Sequence, residues 1–203
     1  MIRILRELSS SDYLNEFFLV GGTALALHLG HRVSIDIDLF STNEFDAEKI
    51  LQKLEQDFQF EMSQRETNTL LGSIKGVKVD LVTHAYPMIK PLQIFEGIRI
   101  ADILDISAMK VNAISVSGER IKDFVDLYYL LKEFTIAEIV GCYELKYRQR
   151  NSMHAIKSLI YFEDVDVSEW PRMIKEPGLK WDTISKSIEN DCIAYIKNLP
   201  DQP

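Results

Sequence analysis

Two adjacent glycines, Gly21-Gly22, stand between an apolar run and a stretch that ends in Asp36-Ile37-Asp38, and a segment of this kind has few ways to fold. The run reads FFLVGGTALALHLGHRVSIDIDLF. Phe17 to Val20 predicts a strand, the glycines break it, a short helix follows from Thr23, and a second strand carries the two carboxylates. Side chains alternate along a strand, so Asp36 and Asp38 are expected on one face with Cα atoms about 6.5–7 Å apart. Val33, Ile35, Ile37, Leu39 and Phe40 give the opposite face an apolar character. Paired carboxylates suit Mg²⁺, which prefers oxygen ligands and substrate phosphates. Glycine lets a backbone approach a phosphate, and a helix start directs N–H groups at it. The segment therefore points to metal-assisted phosphoryl or nucleotidyl transfer.

A third carboxylate, Asp80, lies in VKVDLV after the Lys75-Gly76 turn. An Asp within a β-branched run is costly to bury alone, and two carboxylate neighbours would raise that cost without a cation. With Mg²⁺ or Mn²⁺ the set Asp36, Asp38 and Asp80 becomes favourable. Asp80 is then a metal ligand and a candidate base for an incoming hydroxyl. The alternative for Asp80 is an edge-strand position beside a turn.

The first hundred residues alternate strand and helix signals. An opening helix is expected over residues 3–13 and another over 46–57. Strands are expected near 58–62, 69–74 and 77–82, with a last short one at 97–100. From Asp102 the pattern turns helical, over 105–117, 120–134, 136–148, 152–162 and 181–199. The expected organisation is an α/β core over 1–101 and a helical region over 102–203 packed on it as one compact unit. The 203 residues are 46% hydrophobic, enough to build a core. No run reaches the roughly 18 apolar residues of a membrane span. The charged N-terminus lacks a secretory core, and Cys142 and Cys192 lack metal-ligand spacing, so a reducing cytoplasm is expected. His28, His31, His84 and His154 form no spaced metal set.

A net charge of −8 argues against general DNA binding. Lys146, Arg148, Arg150 and Lys157 nevertheless make residues 144–157 locally basic, a candidate surface for a polyanion. A solvated helix face fits that stretch equally well.

Three segments together, GGTALALHLGHRVSIDIDLF, VKVDLVTHAYP and AMKVNAISVSGERIKDFVDLYYLL, resemble the nucleotidyltransferases of the DNA polymerase β superfamily. More narrowly, they are similar to the AbiEii/AbiGii-type toxins of abortive-infection and toxin–antitoxin systems. The resemblance covers about residues 17–134. It implies a polymerase β-like fold with a mixed sheet, an NTP co-substrate with Mg²⁺, and RNA, in particular the tRNA 3′ end, as acceptor. It also implies a cognate antitoxin as partner. The family's helical motif falls on Lys110, Lys122-Asp123 and Asp126. Lys110 is expected to neutralise the leaving pyrophosphate, and Asp123 and Asp126 to orient Lys110 or Arg32 or reach the site directly. For Lys122 the rival is an ordinary i, i+4 ion pair with Asp126. Gly21, Gly22, Thr23, Arg32, Ser34 and Lys122 complete the expected nucleotide contacts. Two other readings stay open: a small-molecule nucleotidyltransferase of the aminoglycoside-modifying kind, and a non-catalytic binding module on the same fold.

Overall fold

The computed structural model describes residues 1–199, and they divide into two units. One comprises Met1–Leu27 and Ser34–Asp102, the other His28–Val33 and the chain from Ile103 onward.

The first unit is built on a mixed sheet of seven strands among the described residues. They are β1 (Phe18–Leu19), β2 (Ile37–Ser41), β3 (Glu61–Glu66), β4 (Thr69–Ile74), β5 (Val77–Thr83), β6 (Gln93–Phe95) and β7 (Ile98–Ile100). Their order across the sheet is β3-β4-β5-β2-β1-β7-β6. β2 runs parallel to β5 and β1 parallel to β7, while the remaining neighbours are antiparallel. The predicted hairpin at Lys75-Gly76 is present. Both residues have positive φ (51° and 75°), the geometry a two-residue loop needs to match strand twist. Glu96-Gly97 repeats the device (48° and 82°) and pairs β6 with β7. β6 is not among the strands expected from the sequence. β5 lies between β4 and β2, which excludes the edge-strand reading of Asp80.

Helix α1 (Ile2–Ser9) is shorter than predicted. The Ser10 and Ser11 hydroxyls donate back to the Arg6 and Glu7 carbonyls, and a 3₁₀ turn over Asp12–Leu14 follows. Helix α2 (Gly21–Leu29) begins at the first glycine, and α3 (Ala47–Phe58) is capped by Asp46, which accepts from the Lys49 amide at 3.1 Å. Leu5, Leu8, Leu19, Ile37, Leu54, Leu70, Val79 and Leu81 are buried completely. Each contributes about 1.5–3 kcal/mol of apolar burial.

The second unit is helical: α4 (Ile103–Val116), α5 (Ile121–Leu130), α6 (Ile136–Tyr147), α7 (Met153–Leu159) and α8 (Trp181–Lys197). α4 packs against α5, α6 and α7. Thr135 and Glu138 form a reciprocal capping box that starts α6 and separates it from α5. Phe124, Phe162 and Trp181 meet edge to face at 5.5–5.7 Å. No helix of the described residues is long and apolar enough to cross a membrane.

Candidate active site

In the sheet unit the glycine turn and the carboxylates meet at the strand ends. Gly21 has φ +69°, and a Cβ there would overlap the Asp38 carboxylate. Only glycine suits that position, because it alone meets both demands at no cost. The Val20 amide donates to the Asp38 carbonyl at 2.9 Å, tying the strand–helix junction to β2. Thr23 is buried, and its hydroxyl donates to the Asp36 carbonyl and lies 3.0 Å from the Ser34 hydroxyl. The Thr23 hydroxyl thereby ties the backbone ahead of β2 to α2 and meets that of Ser34, the two hydroxyls expected to contact nucleotide.

Asp38 and Asp80 are register partners in the parallel β2–β5 pair. Aligned residues on neighbouring strands share a face, so the two carboxylates are lateral neighbours. β2 starts at Ile37, so Asp36 lies one residue ahead of the strand. Among the described residues, no three His, Cys, Asp or Glu side chains close into a metal-holding group.

Asp80 is 8% exposed. Its Oδ2 accepts from Lys78 Nζ at 2.7 Å, and its Oδ1 is buried without a hydrogen-bond partner. A buried carboxylate oxygen without a partner suits a hard cation, which supplies the missing charge. The Lys78 pKa is raised, first by the hydrogen bond to Asp80 against an opposing desolvation, then by the charges of Asp80, Asp38 and Asp36. Sequence reading passed over Lys78. Its signal was available, because residues 78 and 80 of one strand share a face.

The helical unit gathers a second constellation around Asp126. Lys110 Nζ lies 2.6 Å from Asp123 Oδ1 and 2.6 Å from Asp126 Oδ2. Arg32 grips Asp126 with both branches, Nε at 2.6 Å and Nη2 at 2.8 Å, and His31 Nε2 adds a bond at 2.8 Å. His31 Nδ1 is buried without a partner. The peptide bearing His31 and Arg32 is fixed by bridges to residues 172–175: Val33 N to Arg172 O at 2.8 Å, and Ile174 N to His31 O at 2.9 Å. Burial alone would raise the Asp126 pKa, but the Lys110 and Arg32 charges, with bonds from His31 and Arg32, hold it far below the carboxylate range. Burial likewise works to lower the Lys110 pKa and is outweighed by Asp126 and Asp123.

Asp123 and Asp126 thus both pair with Lys110, and Asp126 also pairs with Arg32. Lys110 is 6% and Arg32 4% exposed, so both expected phosphate contacts are held in a buried ionic cluster. Lys122 pairs with Glu169 at 2.9 Å rather than with Asp126. Lys146 is fully buried on α6, bonded to Asp105 at 2.7 Å, and leaves the expected basic surface. Arg148, Arg150 and Lys157 remain exposed. His84 packs between the Phe40 and Tyr86 rings. His31, which joins the cluster from 95 residues away, carried no local signal.

Residues 3–190 match the family described as the nucleotidyl transferase AbiEii toxin of type IV toxin–antitoxin systems. The chain belongs to this family. It is therefore a nucleotidyltransferase. The uncharacterized protein aq_aa25 of Aquifex aeolicus (strain VF5) is 30% identical over 200 residues, spanning 96% of this chain and 95% of that one. Among solved structures, MenT4, a nucleotidyltransferase toxin from Mycobacterium tuberculosis H37Rv, is similar in fold. Its TM-score is 0.61 at 12% identity, over 92% of this chain and 77% of that one. A candidate nucleotidyltransferase from H. pylori is similar with TM-score 0.54 at 16% identity, over 98% and 92% of the two chains. The AbiEii-family chain thus has the polymerase β-like nucleotidyltransferase fold, as its three sequence segments implied.

Proposed function

We propose that this AbiEii-family enzyme transfers a nucleoside monophosphate from an NTP to an RNA hydroxyl, and that an antitoxin restrains it. The observation that carries the reading is the Asp38–Asp80 register pair, set against Gly21, with Asp80 Oδ1 buried and unpartnered. Asp38 and Asp80, joined by Asp36, are the residues that would hold Mg²⁺ or Mn²⁺. Such ions would neutralise charge on the triphosphate and lower the pKa of an attacking oxygen. Gly21 makes way for the Asp38 carboxylate, and the α2 N-terminus that begins there would offer backbone N–H groups to a phosphate. In the transfer, an acceptor oxygen bonds to the α-phosphorus and the bridging P–O bond to pyrophosphate breaks. Asp80 would take the hydroxyl proton. The Lys110–Asp123–Asp126–Arg32 cluster ties α4, α5 and the His31–Arg32 segment together within the helical unit. RNA is favoured as acceptor by the exposed Arg148, Arg150 and Lys157.

The test is to incubate the pure protein with each α-labelled NTP, Mg²⁺ and total RNA. Label should enter RNA. Asp38→Asn and Asp80→Asn should each lose activity by about a hundredfold or more while melting no earlier than wild type in EDTA. Full activity in both variants would remove the carboxylate pair from catalysis.

A further inference from the structure

Lys78 and Asp80 leave β5 on the same face, and the lysine stem is 58% exposed while the Asp80 side chain is 12% exposed. The ammonium therefore reaches inward from solvent to a nearly buried carboxylate. It covers only one oxygen, Oδ2 at 2.7 Å, and leaves Oδ1 buried and bare of hydrogen bonds. Asp38, the register partner of Asp80, adds its negative charge beside the pair. The Lys78 ammonium thus faces the negative charges of Asp80, Asp38 and Asp36 from a largely exposed side chain.

We propose that Lys78 is a resident stand-in cation: its ammonium holds Asp80 in the empty enzyme and transfers to phosphate oxygens when a divalent ion arrives with a polyphosphate. A divalent ion alone must displace the ammonium from Asp80 and then repels it. An ion that comes with a polyphosphate brings the lysine a new anionic partner, and a lysine serves well as such a point charge on a mobile stem. Lys78 therefore opposes metal binding by itself and favours metal binding with the polyphosphate. The inference rests on the carboxylate pair being the metal site.

The full-length protein is titrated with Mn²⁺, alone and with inorganic tripolyphosphate, and unbound Mn²⁺ is read by electron paramagnetic resonance. Wild type, Lys78→Met, Lys78→Arg and Asp80→Asn are compared, with Lys78→Gln replacing the methionine variant should that one misfold. Lys78→Met should bind Mn²⁺ alone roughly two- to fivefold more tightly than wild type, the range that one exposed ion pair supports. It should bind Mn²⁺ with tripolyphosphate more weakly by a similar factor, and Lys78→Arg should stay near wild type. Equal or weaker binding of Mn²⁺ alone by Lys78→Met overturns the role of the lysine, as does undiminished binding with tripolyphosphate. If Asp80→Asn binds Mn²⁺ with tripolyphosphate as well as wild type does, the metal-site reading fails instead.

Discussion

Asp126 accepts four hydrogen bonds from three cationic or ring donors, all in the helical unit, and no part of its side chain meets solvent. Removing one partner of such a cluster leaves the others charged and buried, which costs more than the cluster itself contributes. Asp126→Asn is expected to lower the unfolding free energy by about 3–5 kcal/mol at pH 7, read by urea titration. The pH dependence follows from the two shifted groups. Asp126 has its pKa lowered in the folded protein, so its contribution is present above the ordinary carboxylate value near 4 and is lost as pH falls toward the depressed one. Lys110 has its pKa raised, so its contribution is present below about 10.5 and is lost as pH rises through the higher value. The deficit of Asp126→Asn should therefore be level from about pH 5 to 10 and shrink below about pH 4. A deficit unchanged down to pH 2 would show that the carboxylate charge is not what the cluster needs.

Within single elements, α6 shows how a charge pattern misleads. Lys146 lies in a basic run, yet it shares a helix face with Ile136, Ile139, Val140, Tyr143 and Tyr147, and that face is buried. Its partner Asp105 on α4 is equally inaccessible. Lys146→Ala should cost about 3–5 kcal/mol in urea unfolding, while Asp105→Leu combined with Lys146→Leu should recover most of the loss. Failure of the double variant to recover would mean that the pair does more than cancel its own charges. The position of Lys146 on an apolar stripe was legible in the sequence, but a count of nearby charges hid it. The strand–glycine–helix–strand unit, the Lys75-Gly76 hairpin and the separation into sheet and helices were legible because local periodicity and turn chemistry set them. Asp36 falls one residue before β2, because periodicity does not fix the first residue of a strand. The Asp126 cluster was half legible: its α5 carboxylates are neighbours on one helix, whereas His31 and Arg32 join through tertiary structure that no local pattern encodes.

For the molecule as a whole, the charge of −8 makes any RNA contact depend on where the exposed cations stand. If Arg148, Arg150 and Lys157 each meet one phosphate, affinity for single-stranded RNA should fall with salt at a log–log slope of about −2. Replacing all three with Glu should abolish RNA labelling and leave metal–polyphosphate binding intact. A slope near zero in filter binding would move the acceptor surface elsewhere. Unlike Lys146, these three can be reversed without disturbing a buried pair. The helical unit is also discontinuous in the chain: residues 28–33 belong to it, and the sheet-forming residues 34–102 intervene before it resumes. Arg32 and His31 therefore emerge from the ribosome well before the Asp126 they will bind. A gene fragment beginning at Ile103 would encode Asp126, Asp123 and Lys110 without the Arg32 guanidinium and His31 imidazole that Asp126 binds. A second half cut at that boundary lacks residues 28–33, which belong to its own unit, so the two halves are encoded as one object.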